Sequence, residues 1–177
     1  MSIKINKIEL RPGDVFLSKG SNGLSQMITA VESWYAKDCY AEYSHSGIVL
    51  NNLGLIFEGG LINGKKNLFD KYYGKEILVG RHDQMRLYRY ANGKQELDKF
   101  ENTLFPIHRF LLLMFPPLAR RIYFLQYGIC SEFTSMFLYH AGLMDYWRGV
   151  MPSHITEMIR KWKGWNIVAE GTLYANA

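Results

Sequence analysis

The 177-residue chain has only two cysteines, Cys39 and Cys130, so it could close at most one disulfide. A chain of this length does not need a disulfide to hold its core together, and we expect both residues to be free thiols. The sequence therefore does not belong to the small disulfide-stapled scaffolds.

Long apolar stretches are also absent. The most apolar run, Phe110 to Ala119, has ten residues and includes two prolines, which is too short to cross a bilayer. The N-terminal segment lacks the apolar core of a secretory signal. We therefore expect the protein to remain in the cytoplasm of the producing cell, or to leave it by lysis or inside a virion.

Several ligand-binding patterns are missing as well. There is no phosphate-loop glycine pattern, no internal repeat and no basic helix typical of nucleic-acid binding. The best zinc alternative combines His154 and Glu157, three apart on a predicted helix, with His82 and Asp83, but it lacks close Cys/His spacing. The sequence predicts no metal, no cofactor and no nucleic-acid partner.

The net charge of +5 comes from short basic pairs that are spread along the chain rather than from a long run. A solvated basic surface is the simpler interpretation. Attraction to an anionic partner, such as a phospholipid surface or a cell-wall polymer, is the alternative.

What the chain does have is apolar and aromatic content, 48% and 15% respectively. This content argues against disorder and suits a single domain over residues 1–177. Helical and strand patterns alternate without regular βαβ order, so we predict an α+β fold with an antiparallel sheet packed against helices. The predicted strands are 15–17, 46–50, 55–59, 76–80, 85–90 and 165–173, and the predicted helices are 22–37, 94–102, 105–115, a helix that begins at Cys130 and stops at Gly142, and 153–163.

Cys130 stands where this fourth helix begins, two residues after Gly128. A helix N-terminus supplies partial positive charge and unpaired backbone N–H groups, which favour a thiolate and can hold an oxyanion. The alternative is a buried structural cysteine. We predict that Cys130 is a nucleophile and that Cys39, which has no comparable setting, is not.

A base and its partner are predicted on a hairpin. His45 begins one strand and Glu58 lies near the end of the next. With a turn at residues 51–54, Gly47 pairs with Glu58, which puts His45 and Glu58 diagonally on one face; a two-residue turn at Asn51 and Asn52 would put them directly opposite. Either register brings the Glu58 carboxylate within reach of the imidazole, where it can hold the ring as the orienting member of a nucleophile–base–orienter triad does.

The order of these motifs resembles the circularly permuted branch of the NlpC-type papain-like cysteine hydrolases. The matching segments run from Gly13-Asp14-Val15 through Tyr43-Ser44-His45-Ser46-Gly47-Ile48 and Glu58 to Cys130-Ser131-Glu132-Phe133. That branch includes the YiiX/YaeF-like amidases and the lecithin:retinol acyltransferase-like enzymes. The resemblance implies a papain-like core, with Cys130 as nucleophile, His45 as base, Glu58 as third polar residue and an acyl-enzyme intermediate.

Three functions stay open from the sequence. The leading one is hydrolysis of an amide bond in a peptide or a cell-wall peptide, with Tyr43, Ser44 and Ser131 as candidate substrate-binding residues. Acyl transfer or ester hydrolysis on a lipid is the second, since the segment from Phe105 to Arg121 is apolar and basic. The third is a papain-like scaffold that binds without catalysis.

Overall fold

A computed structural model describes residues 3–20, 42–60, 62–104 and 129–175. The predicted helices at 22–37 and 105–115, together with Cys39 and Gly128, lie outside these residues. Within them, seven strands form one sheet, and four helices are present. The strands are β1 (Lys4–Ile5), β2 (Val15–Ser18), β3 (His45–Val49), β4 (Leu55–Glu58), β5 (Gly64–Asn67), β6 (Glu76–His82) and β7 (Trp165–Leu173), and the helices are α1 (Leu68–Tyr72), α2 (Leu87–Asp98), α3 (Cys130–His140) and α4 (Pro152–Lys161).

The sheet is antiparallel except at one edge. Its strand order is β1-β7-β6-β2-β3-β4-β5, and only the β1–β7 pair is parallel. The predicted α+β class is therefore confirmed. No helix among the described residues has the length and apolar character needed to cross a membrane.

Strand alternation divides the core between the two faces of the sheet. In β2, Val15 and Leu17 pack in one cluster with side chains of α3 and α4, whereas Phe16 packs in a second cluster. That second cluster includes Phe69 and Tyr72 of the short helix α1. Helix α1 therefore lies against the face opposite to the one that α3 and α4 cover.

The β3–β4 hairpin has the predicted register, with Gly47 opposite Glu58. The turn is closed by a 2.7 Å hydrogen bond from the Leu50 N–H to the Leu55 carbonyl. Gly54 has a φ of +83° there, a conformation that glycine adopts without strain. The alternative two-residue turn is wrong.

The prediction of a strand at 85–90 is also wrong. Helix α2 begins at Leu87 and ends at Asp98, so it includes only the first five residues of the helix predicted at 94–102. Alternating apolar residues misled the prediction, because Leu87 and Tyr88 are exposed and the helix buries Gly93 and Leu97 instead.

Two helix boundaries in the C-terminal part were also predicted. The predicted stop at Gly142 is confirmed, with a φ of +67°. The sequence predicts Ser153 as the N-cap of the last helix, but Met151 has that position, so α4 begins two residues earlier than predicted. The predicted strand at 165–173 is confirmed as β7.

Candidate active site

The β3–β4 hairpin brings an imidazole and a carboxylate together. Because Gly47 pairs with Glu58, the side chains of His45 and Glu58 lie on the same face of the sheet. Their Nε2 and Oε2 atoms are 2.9 Å apart, the distance of a hydrogen bond. This pair leaves Nδ1 as the ring nitrogen that can face another group.

Glu58 is only 2% exposed and has three hydrogen-bond donors. Its Oε2 accepts from His45 and, at 2.5 Å, from the Tyr72 hydroxyl, while Oε1 accepts from the Lys71 ammonium. Burial raises the pKa of this carboxyl, but the hydrogen bonds and charges of its partners outweigh burial and lower the pKa to about 2. The carboxylate is therefore ionised at every pH at which the protein is expected to work.

The thiol comes from the opposite face of the sheet. Cys130 is the first residue of α3, and its side chain meets the His45 ring and the backbone N–H groups of Ser46 and Ser131. Burial raises the pKa of the thiol, but the charge and hydrogen bond of His45, together with these N–H groups, bring it below the ordinary cysteine value. The surroundings therefore favour a thiolate.

The His45 side chain is 21% exposed, whereas Cys130 is buried. Burial lowers the pKa of the imidazole, but the Cys130 thiolate and the Glu58 carboxylate outweigh burial and raise the pKa to about 9. A thiolate beside an imidazolium is the favoured state between the pKa of the thiol and that of the imidazole.

Hydroxyl groups tie the first turn of α3 to β3. Thr134 donates to the Cys130 carbonyl at 3.1 Å, and its Oγ1 lies 3.0 Å from the hydroxyl of Ser46. All of these side chains are buried. The start of the helix is thereby fixed relative to the strand that carries the imidazole.

The buried carboxylate of Glu132 holds the chain on either side of this turn. It accepts from the Gly149 N–H at 2.8 Å and from the Ile129 N–H at 3.4 Å. Glu132 itself is fully buried. Glu132, the acidic residue of the Cys130-Ser131-Glu132 motif, therefore has a structural role at the start of α3.

The structure brings Cys130, His45 and Glu58 together, while their catalytic roles stay predictions. The three predicted substrate-binding side chains have internal partners instead. Tyr43 donates to Glu170 at 3.2 Å, Ser44 accepts from the Gly20 N–H at 3.0 Å, and Ser131 donates to the Val150 carbonyl at 2.7 Å. All three side chains are buried. Of these three residues, only Ser131 contacts the thiol, and it does so through its backbone N–H.

Lys71 and Tyr72 were not predicted from the sequence. Their helix α1 has five residues, and its only marker is Asn67, whose side chain accepts from the N–H groups of Phe69 and Asp70. A helix of one turn has too little periodicity to be recognised by its apolar spacing.

The zinc alternative gains no support from the described residues, since nowhere in them do three His, Cys, Asp or Glu side chains stand close enough to hold a metal ion. His154 has a different contact, because its Nδ1 accepts from the Met151 N–H at 3.0 Å. His82 Nδ1 accepts from the Gln84 N–H, and its ring packs edge-on against Trp165.

Comparison with known proteins places the fold but no family. No family model matches the sequence, and no curated protein matches it. Among solved structures, the chain is similar to the crystal structure of the metalloprotein yiiX from Escherichia coli, with a TM-score of 0.57 and 14% sequence identity over 93% of this chain and 88% of that one. A yiiX-like fold fits the papain-like description of the α+β architecture.

Proposed function

We propose that the protein is a cysteine hydrolase of the permuted NlpC-type papain-like group. One observation carries this proposal: the Cys130 thiol, at the start of a helix, meets the His45 ring, and that ring is held at 2.9 Å by the buried Glu58 carboxylate. Nucleophile, base and orienter in this order form the arrangement that acyl transfer needs.

The reaction begins with the Cys130 thiolate. Its sulfur bonds to the carbonyl carbon of the substrate, and the C–N bond then breaks while the His45 imidazolium donates its proton to the leaving amine. A water molecule next gives a proton to His45 and attacks the thioester. The acid is released and the thiolate re-forms, so each atom and proton is accounted for.

Backbone N–H groups support the charge that develops on the carbonyl oxygen. The first N–H groups of a helix have no partner within the helix, and Cys130 is the first residue of α3. These groups are fixed before the substrate arrives, and a preorganised donor of this kind is worth about 3 kcal/mol of barrier.

The substrate class is an amide bond in a peptide or a cell-wall peptide. It rests on the resemblance of the sequence motifs to the permuted NlpC-type hydrolases, whereas the similarity to yiiX supports only the fold. The segment from Phe105 to Arg121, on which the lipid alternative depends, lies outside the described residues.

The proposal routes no step through a metal ion. The similar structure is described as a metalloprotein, but in residues 3–20, 42–60, 62–104 and 129–175 no three side chains of the ligating kinds stand together. Because Cys130, His45 and Glu58 carry every step of the proposed reaction, a chelator should leave the activity unchanged.

Alkylation and intact mass test the proposal. In a Cys39→Ser background, which leaves Cys130 as the only thiol, iodoacetamide should react with a pH midpoint below that of an ordinary cysteine. Incubation with peptide, muropeptide or short acyl ester should give a mass adduct that Cys130→Ala abolishes. A thiol of ordinary reactivity that forms no adduct with any of these substrates would favour the non-catalytic scaffold.

A further inference from the structure

The Glu58 carboxylate is held at both of its oxygens. His45 Nε2 and the Tyr72 hydroxyl both donate to Oε2, at 2.9 and 2.5 Å, and the Lys71 ammonium donates to Oε1. An ionised carboxylate has about four lone-pair sites. Three of them are therefore filled by protein donors, and only one of the three donors is the imidazole.

A carboxylate with a single partner would not stay in one orientation. The last torsion of a glutamate side chain has a broad energy profile, so rotation about it costs little. Lys71 prevents this rotation because it holds the oxygen that His45 does not use. Lys71 therefore sets the direction of the His45–Glu58 hydrogen bond, although it bonds to the other carboxylate oxygen.

Tyr72 restrains the imidazole a second time through its ring. The rings of Tyr72 and His45 are stacked, with centroids 6.2 Å apart and an interplanar angle of 24°. Phe16 packs edge-on against Tyr72 at 5.3 Å and lies 6.4 Å from the His45 ring. The ring of His45 therefore has an aromatic wall on the side of α1.

Helix α1 is itself firmly seated on the sheet. Asn67 caps it, the Leu68 N–H donates to the Gly54 carbonyl at 2.8 Å, and Phe69 lies directly over Gly54. A side chain at position 54 would come within 2.4 Å of the Phe69 ring. The support for Glu58 is consequently a fixed part of the fold.

We propose that Lys71 and Tyr72 are positioning residues of the active site, which hold Glu58 so that His45 faces Cys130 and keeps it ionised. This inference rests on the proposed function. By this inference the proposed chemistry depends on two helices: α3, which carries the nucleophile, and α1, which lies on the opposite face of the sheet.

Loss of either hydrogen-bond donor to Glu58 should change the pH midpoint for thiolate formation at Cys130 in one direction. Among the residues that the structure describes, the charged and titratable groups around the pair are Glu58 on β4, Lys71 and Tyr72 on α1, Lys75 just after α1, and Cys130 on α3. Removing the Lys71 cation, or loosening Glu58 by removing the Tyr72 hydroxyl, makes the thiolate less favourable. The pH midpoint for thiolate formation then rises.

The chain offers a matched control for each variant. Lys75 lies over the same Tyr72 ring at 5.3 Å, close to the 5.5 Å of Lys71, but has no bond to Glu58. Tyr73 follows Tyr72 directly and is 55% exposed. Lys71→Met is therefore compared with Lys75→Met, and Tyr72→Phe, which keeps the stacked ring, with Tyr73→Phe.

The experiment measures the rate of iodoacetamide alkylation against pH in the Cys39→Ser background, together with the thermal midpoint of each variant. We expect the alkylation midpoint to rise by about half a pH unit or more in Lys71→Met and Tyr72→Phe. It should stay unchanged in Tyr73→Phe, move less in Lys75→Met than in Lys71→Met because Lys75 has no bond to Glu58, and return in Lys71→Arg, whose guanidinium can also donate to Oε1. A purely structural role would lower the thermal midpoint and leave the pH midpoint in place.

The outcomes separate the two proposals. If the wild-type thiol already titrates as an ordinary cysteine, the proposed function fails. If the wild-type midpoint is low but Lys71→Met matches Lys75→Met and Tyr72→Phe matches Tyr73→Phe, the proposed function stands and the positioning role is overturned.

Discussion

The side chain that Gly59 lacks would lie 2.9 Å from both the backbone N and the Cα of Cys130. Real Cβ atoms do not approach backbone atoms so closely, and backbone cannot move aside as a flexible side chain can. The end of β4 and the start of α3 therefore come together only because position 59 has no Cβ. This contact sets how near the thiol comes to the hairpin that carries His45.

Gly59→Ala should separate the thiol from the imidazole. We expect the rate of iodoacetamide alkylation at neutral pH to fall about tenfold, because a displaced thiol loses the stabilisation that lowers its pKa. Gly60→Ala is the matched control, since the nearest atom to its added Cβ is an ordinary 3.6 Å away. Equal rates in the two variants would contradict this role for Gly59.

The pH profile of the proposed hydrolysis should have two limits. Acylation needs the thiolate of Cys130 and the proton of His45, so activity should appear above the lowered pKa of the thiol and be lost as pH rises through about 9, the raised pKa of the imidazole. Measured kcat/KM against pH, with a peptide or ester substrate, checks both limits.

His45→Ala should change the alkylation profile in a related way. Without the imidazolium, the pH midpoint for alkylation of Cys130 should move up toward the ordinary thiol value of about 8.5. His140→Ala is the control. It changes the last residue of α3, the helix that begins at Cys130, and should leave the alkylation profile unchanged. A profile that does not respond to His45→Ala would show that the helix start alone activates the thiol.

Acid should destabilise the fold through Glu58. The pKa of this carboxyl is lowered from 4.5 to about 2, so its stabilising effect is fully present above about pH 4.5 and is lost as pH falls toward about 2. A shift of this size corresponds to about 3 kcal/mol at most. Urea unfolding at several pH values should show a shallower acid slope in Glu58→Gln, and the wild-type slope in Glu157→Gln, which changes a half-exposed carboxylate.

The Asp14–Arg81 ion pair should matter for stability but not for thiol reactivity. Asp14 is 1% exposed and accepts from Arg81 at 2.7 and 2.8 Å and from the Arg11 N–H at 2.8 Å. Arg81→Met leaves this carboxylate buried without its cation and should lower the free energy of unfolding by about 3 kcal/mol.

Two comparisons test that expectation. Asp98→Asn breaks a half-exposed pair with Lys94 and should cost less than about 0.5 kcal/mol. Alkylation of Cys130 should be unchanged in Arg81→Met, because Ser18, not Asp14, pairs with His45, and four strand residues span roughly 13 Å. A slower alkylation would connect this end of β2 to the site.

The sequence predicts the hairpin well because the hairpin is local. A turn of Asn51-Asn52-Leu53-Gly54 between two apolar runs determines the register, and the Asn51 side chain secures it by accepting from the Leu53 and Leu55 N–H groups. The start of α3 at Cys130 is local information too. The Cys130–His45 contact, in contrast, joins distant segments, and only the family resemblance pointed to it.

Segments with weak or ambiguous periodicity were predicted poorly. Residues 85–90 were predicted as a strand, but in the structure residues from Leu87 onward belong to helix α2, which packs Gly93 tightly against the Phe137 backbone. Helix α1 was missed because its five residues are ordered by contacts with the turn and the sheet. Lys71 and Tyr72 therefore reach the site through tertiary contacts, which the local sequence does not encode.

The chain order of the three groups has a consequence for synthesis. His45 and Glu58 lie 13 residues apart on one hairpin, whereas Cys130 follows α2 and opens α3. Contacts that are near in sequence close with little entropy, and the earlier part of a chain leaves the ribosome first. We therefore expect the nascent polypeptide to carry an ordinary thiol, whose pKa falls only when α3 docks against the hairpin late in folding.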